Sequence, residues 1–214
     1  MSHALILLSG GIDSAAALAW SHKKFDAVTA LSFDYHLRPF RERLAVYRLL
    51  QSFPAKLIEV PIPFLREAAD AQIKLPADLP EGYVSNRNLI FYSIAAHYAE
   101  YNGCDVMVGG HTGEDPDAFP DSSSTFFHEF EALANKALLI RKTHIELPLA
   151  RLDKTQVLEN ALSWHVPLEF TWSCYWDREV PCGTCVSCRE RADAFARLGV
   201  PDPLIPKGNV PPHV

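Results

Sequence analysis

Four apolar residues, Leu5-Ile6-Leu7-Leu8, run directly into Ser9-Gly10-Gly11-Ile12-Asp13-Ser14, and the pattern that follows predicts a helix from Ser14 to about His22. A buried strand, a glycine turn and a helix start in immediate succession leave few folds open to the chain. The paired glycines let backbone N–H groups point into one concavity. The helix N-terminus adds positive dipole there, and the Ser9 and Ser14 hydroxyls add donors, so phosphate is the natural occupant. A glycine pair alone also fits a plain tight turn, with Asp13 as an acid favoured at a helix start.

The downstream rhythm is that of an α/β chain. Val28 to Phe33 reads as a second strand, Arg41 to Phe53 as a helix and Lys56 to Val60 as a third strand. Asn88 to Tyr101 reads as a helix burying Leu89, Tyr92, Ile94, Ala95 and Ala96, and Asp105 to Gly110 as a fourth strand ending in glycines. Short apolar strands separated by helices imply a doubly wound, mainly parallel sheet. Ligands of such sheets lie beyond the carboxyl ends of the strands, where Ser9, Asp34 and the stretch from Gly110 to Ser124 converge.

Cys174, Cys182, Cys185 and Cys188 are four of the chain's five cysteines. Two overlapping Cys-x-x-Cys steps with Gly183 between them form a tight knuckle, and Cys174 returns from upstream to complete four thiolates. This set suits structural zinc and leaves no position open for a substrate. An iron–sulfur cluster, disulfides or a redox pair remain the alternatives. The fifth cysteine, Cys104, lies in an apolar run and is expected to be a small buried side chain. Trp172, Tyr175 and Trp176 are expected to pack around the knuckle.

The start of the chain lacks the basic and apolar segments of a signal peptide, and no stretch reaches membrane-spanning length, so a cytoplasmic protein is expected. A formal net charge of −6 argues against a broad electrostatic grip on nucleic acid. The boundaries expected are an α/β nucleotide-binding domain over 1–165 and a small C-terminal helical lobe with tail over 166–214. The proline-rich tail from Pro201 is expected to be extended.

The Ser-Gly-Gly-x-Asp-Ser string after a first strand resembles the pyrophosphate-binding loop of the PP-loop ATPases, of adenine nucleotide α-hydrolase-like fold, which split ATP between its α and β phosphates. Several further stretches make the chain similar, nearly end to end, to the QueC family of PP-loop enzymes. They are Ser32-Phe33-Asp34-Tyr35, Arg87-Asn88, Asp115 with Phe119-Pro120-Asp121, Pro148-Leu149 with Lys154, and Thr171 to Cys174 with the cysteine spacing and Asp202-Pro203. That resemblance implies adenylation of a 7-carboxy-7-deazaguanine, attack by ammonia to an amide, and a second activation that yields the nitrile. It implies Ser9, Gly10, Gly11, Asp13 and Ser14 at pyrophosphate and Mg2+, with Asp34 on the nucleotide side and Arg87 and Lys154 as cationic stabilisers. Asp115, Phe119 and Asp121 fall on the deazapurine, the two carboxylates toward its amidine-like edge or a metal. A homodimer is expected. Asp13 and Ser14 are both expected to face phosphate or magnesium rather than the core.

Three departures stand out. The family's Gly-Gln-Arg-His after Asp34-Tyr35 is here His36-Leu37-Arg38-Pro39, its Pro-Gly/Ala before Arg87 is Ser85-Asn86, and its Cys-Arg after Asp121 is Ser122-Ser123. They suggest an altered substrate wall, and with it a paralogue that joins the activated acid to a protein instead of ammonia. A tRNA-modifying PP-loop enzyme and a non-catalytic nucleotide-binding module are rivals of other classes. His36, His111 and His128 are left without a role.

Overall fold

The computed structural model describes residues 1–35, 38–65, 79–81 and 83–205; His36, Leu37 and the tail from residue 206 lie outside the described residues. Five strands form one parallel sheet: β1 (His3–Leu7), β2 (Ala27–Asp34), β3 (Lys56–Pro61), β4 (Val106–Val108) and β5 (His144–Glu146), in the order β3-β2-β1-β4-β5. The order reverses between β1 and β4. That switch point opens a crevice at the strands' carboxyl ends, above the Ser9–Ser14 loop.

Alternation along the strands supplies two cores. From β1, Ala4, Ile6 and Leu8 face one side and Leu5 the other; from β2, Val28 and Ala30 oppose Leu31 and Phe33. The first face is covered by α1 (Ile12–Lys24), α2 (Phe40–Ser52), α6 (Lys154–Ser163) and α7 (Val186–Leu198), whose apolar residues join one cluster. The second is covered by α3 (Arg87–Asn102) and α5 (Ser124–Ala137), with Tyr92, Ala95, Ala99, Phe127 and Phe130 buried against it. A single turn, α4 (Asp115–Ala118), precedes the 3-10 turn Pro120–Ser122. No described helix is long and apolar enough to cross a membrane.

The expected elements form, with differences at their ends. β4 stops at Val108, and Gly109 and Gly110 turn away instead of continuing it. β5 is absent from the sequence reading: three residues at a sheet edge carry too little alternation to register. Leu89 is 39% exposed rather than buried. The inward position of α3's first turn belongs to Asn88, whose N–H and side-chain amide bond to Asp121. Asn86 sits at φ 54 in the left-handed region, which asparagine tolerates better than most residues and glycine best, so it fits where the family shows Gly or Ala.

Beyond the packing of α7 in the first core, a backbone bond ties the C-terminal segment to the body and a buried ion pair braces it within itself. Trp172 N donates to Gly10 O (2.9 Å), tying it to the Ser9–Ser14 loop. Arg191 of α7, 4% exposed at its side chain, forms a fork on Asp202 (2.7 and 2.9 Å) and reaches Thr171 Oγ1 (2.9 Å). Removing one partner of a buried pair strands the other charge. Asp202→Ala should therefore destabilise the protein by about 3–5 kcal/mol, read as a lowered denaturant midpoint. A change under about 1 kcal/mol would show that the pair is solvated.

Candidate active site and metal centre

The Ser9–Ser14 loop is closed by its own hydroxyls. Ser14 Oγ lies 3.3 Å from Ser9 N, 3.1 Å from Gly10 N and 3.1 Å from Ser9 Oγ, and it donates to Gly11 O (3.1 Å). Ser14 is 6% exposed. The expectation is that it faces phosphate or magnesium rather than the core; it is buried, and its hydroxyl organises the loop, so its loss alters the loop's shape. Gly10 adopts φ +107, and a Cβ there would lie 2.4 Å from Glu42 O. Gly110, just past β4, would drive a Cβ to 2.9 Å from Ser14 N and 3.0 Å from the Asp13 carbonyl. Only glycine lets these segments meet so closely.

Asp13, in the first turn of α1, accepts a bond from Lys154 Nζ at 2.5 Å, with side chains 29% and 24% exposed. Lys154 opens α6, whose Asp153–Gln156 capping box fixes that end. A cation at a helix N-terminus works against the dipole, so its placement is set by what it faces. Burial would lower the ammonium's pKa, but the Asp13 and Asp115 carboxylates overcome this and hold it raised. It remains a fixed positive charge beside the loop.

On the β4 side, Asp115 Oδ2 accepts from Thr112 N (2.6 Å) and stands 4.0 Å from His111 Nδ1, while Asp121 caps α3 through Asn88. Each carboxylate therefore has one oxygen committed. Arg87 lies 5.7 Å from the Phe119 ring. His111, which sequence reasoning left without a role, belongs to this group: burial and the Arg87 charge lower its pKa to about 4, so the imidazole is neutral at neutral pH. Its sequence signal was the Gly109-Gly110 pair, which ends β4 and delivers the next residue to the crevice.

Asp34 is not brought into the group. It is exposed at the end of β2, its carboxylate 3.5 Å from Arg43. Ser122 and Ser123 do not form a substrate wall either: the Ser122 hydroxyl bonds to Phe119 O and Ser123 caps α5 at Phe126 N. Glu42 is a residue the sequence did not reveal. Burial raises its carboxyl to about 7 against the pull of Arg38 and Arg87.

The sulfurs of Cys174, Cys182, Cys185 and Cys188 all lie within 4.8 Å of one another, and Cys182 and Cys188 are 3.8 Å apart. Four thiolates about 2.3 Å from one tetrahedral ion would be spaced in this way. Backbone N–H groups of Trp176 and Cys182 point at Cys174 Sγ (both 3.4 Å), and that of Cys185 at Cys182 Sγ (3.3 Å), which suits anionic sulfur. The donor set fits a single metal ion that could be zinc. Trp172 and Tyr175 pack against it, whereas Trp176 is 54% exposed. Cys104 is fully buried, away from the knuckle.

Glu42 gives the site a pH signature. The folded acid titrates near 7 rather than 4.5, so the native protein keeps a proton that the unfolded chain releases. Its contribution to stability falls as pH rises from about 4.5 to about 7 and stays lowered above that. Glu42→Gln should remove a penalty of about 1–3 kcal/mol. Its melting temperature should exceed the parent's at pH 8 and match it at pH 4; no gain at pH 8 would mean an ionised Glu42 paired with Arg38.

Among solved structures, the fold matches an NMN synthetase from Francisella tularensis with a TM-score of 0.52 and 19% identity, covering 92% of this chain and 77% of that one. Among sequences, a 7-cyano-7-deazaguanine synthase of Thermoplasma volcanium is 35% identical over 94% of this chain and 89% of its own. One from Synechococcus sp. is 37% identical over 93% and 95%. The family model described as queuosine biosynthesis protein QueC matches residues 3–199. With the Ser9–Ser14 loop at the switch point and the four-cysteine knuckle behind it, this chain belongs to the QueC family.

Proposed function

We propose that the protein activates the carboxylate of 7-carboxy-7-deazaguanine with ATP and converts it with ammonia to 7-cyano-7-deazaguanine, releasing AMP and pyrophosphate. The observation that carries this reading is the loop between β1 and α1. Its amides, together with the Asp13–Lys154 pair, converge at the switch point where a triphosphate would lie. The loop lacks the Lys-Ser/Thr ending of a γ-phosphate site, in keeping with α–β cleavage.

In this reading the substrate carboxylate attacks the α-phosphate, and the acyl adenylate then gives up AMP to ammonia, leaving an amide. A second ATP activates the amide oxygen for loss to the nitrile. The protein contributes alignment and fixed charge. Lys154 and Arg87 stabilise the charge that grows on phosphate, and Asp13 would hold Mg2+, which neutralises pyrophosphate as it leaves. The free oxygens of Asp115 and Asp121 suit the two N–H groups of the deazapurine edge. Neutral His111 can exchange a hydrogen bond with the ligand without adding charge.

A protein acceptor draws its support from the departures after Tyr35 and Asp121. Of the departing residues, Ser122 and Ser123 bond to Phe119 O and Phe126 N, a local structural role that needs no new acceptor, and ammonia is the acceptor in this reading. Asp34, at the carboxyl end of β2, serves an ion pair with Arg43 in this reading rather than the nucleotide. The cysteines hold structural zinc, since four thiolates leave no open position.

Incubation with the acid, ATP, magnesium and ammonium should yield the nitrile by mass spectrometry together with AMP, and Asp13→Ala should abolish both. ADP and phosphate as the main products, or transfer of the deazaguanine mass to a protein, would overturn the reading. Metal analysis should find one zinc per chain, and a strong chelator should lower the melting temperature because such knuckles fold with their ion. A visible iron–sulfur absorption band would reject zinc.

A further inference from the structure

Arg38 is the one residue of the His36–Pro39 stretch that agrees with the family's Gly-Gln-Arg-His, and its side chain is only 3% exposed. Arginine is seldom buried so fully unless its donors are engaged. Nη2 donates to Ser9 O at 2.6 Å, and Nη1 donates to Phe33 O at 2.7 Å and Ser32 Oγ at 3.0 Å. The Ser32 hydroxyl in turn donates to Leu8 O at 2.8 Å. Nε is buried without a hydrogen-bond partner among the described residues, 4.0 Å from Glu42 Oε2. The guanidinium is thus clamped to the end of β2 and reaches across to the first residue of the phosphate loop.

Ser9 C=O and Gly10 N–H belong to one planar trans peptide and so point in opposite directions. Arg38 grips the oxygen from behind. The hydrogen therefore faces the loop interior, where the Gly10 N–H donates to Ser14 Oγ at 3.1 Å, the acceptor it would share with or exchange for a phosphate oxygen. Nothing in Gly10 itself enforces this, because a glycine at φ +107 has wide conformational freedom and can accommodate the flipped plane as well. A flipped plane would present a carbonyl oxygen to a phosphate, replacing a donor with a repelling acceptor.

We propose that Arg38 is a positioning residue for ATP: it holds the Ser9–Gly10 peptide so that the Gly10 N–H faces the phosphates, without touching the nucleotide itself. The proposal rests on the reading of Ser9–Ser14 as a pyrophosphate loop.

The test compares the parent protein with Arg38→Gln and Arg38→Lys. Lysine keeps the charge but gives up the fork that spans Ser9 and Phe33. Calorimetric affinities for magnesium pyrophosphate and Mg-ATP should fall roughly 10- to 100-fold in both variants, the worth of one charge-assisted hydrogen bond. KM for the deazaguanine acid should stay within about twofold, a split that general loosening of the fold would not produce. Folded variants with parental affinity for both phosphate ligands would overturn the proposal, as would parallel rises in both KM values. Should neither variant fold, a crystal structure of the parent with magnesium and a non-hydrolysable ATP analogue decides. Gly10 N on a phosphate oxygen with Arg38 still on Ser9 O supports the role; a guanidinium on the nucleotide, or a flipped peptide, overturns it. A parent that binds neither phosphate ligand removes the loop reading itself, an outcome distinct from a parent that binds and variants that bind equally well.

Discussion

The site depends on how closely three backbone segments approach one another at the sheet's switch point. Gly10 packs under the Glu42 carbonyl, and Gly110 packs against Asp13 and Ser14. A methyl group at either position would push apart the loop, the start of α2 or the end of β4. Because β1 and β4 are parallel neighbours, with Ile6 opposite Val108, the chain leaving β4 comes up beside the chain leaving β1. The close contact turns a parallel sheet with a glycine turn into a cradle whose amides and charged side chains converge.

The charges in that cradle are paired across elements, not along them. Lys154 at the start of α6 meets Asp13 in the first turn of α1, and Arg38 before α2 serves the loop after β1. Arg87 at the start of α3 acts on His111 after β4 and on Glu42 in α2. Burial drives His111 and Glu42 toward their neutral forms, while the surrounding carboxylates keep Lys154 charged. The crevice therefore holds Lys154 and Arg87 as cations among the carboxylates of Asp13, Asp115 and Asp121, charges fixed in place before any ligand arrives.

Much of this was legible in the sequence. The apolar runs of β1 and β2, the glycine turn and the cysteine spacing are local signals, and the strands, the turn and the sulfur cluster formed where they were read. What escaped depends on distant parts of the chain. β5 is three residues long and is defined only by pairing with β4. Arg38 looked like part of a divergent surface because its partners, Ser9 and Phe33, become neighbours only once the sheet is built. Glu42 has an ordinary helix-start position, and its raised pKa comes from burial against the loop after β1, far upstream in the chain. Ser122 and Ser123 read as lost ligands because a helix cap and a binding residue use the same side chains. Asp34 follows the strand it was read on, but Arg43, one turn into α2, draws its carboxylate aside.

The cysteine knuckle also bears on the loop, though no cysteine reaches the crevice. The chain from Thr171 to Cys174 is held at one end by Arg191 on the Thr171 hydroxyl and at the other by the sulfur cluster. Between them Trp172 donates its N–H to the Gly10 carbonyl. Gly10 is thus gripped on both of its peptide planes: Arg38 holds the Ser9 oxygen before it, and Trp172 holds its own oxygen after it. A metal ion on the four sulfurs would order the segment that carries Trp172, because the thiolates converge only when that segment is folded. An ion on the four sulfurs would in this way bear on the loop without contacting it, by keeping the second of these two peptide planes in place.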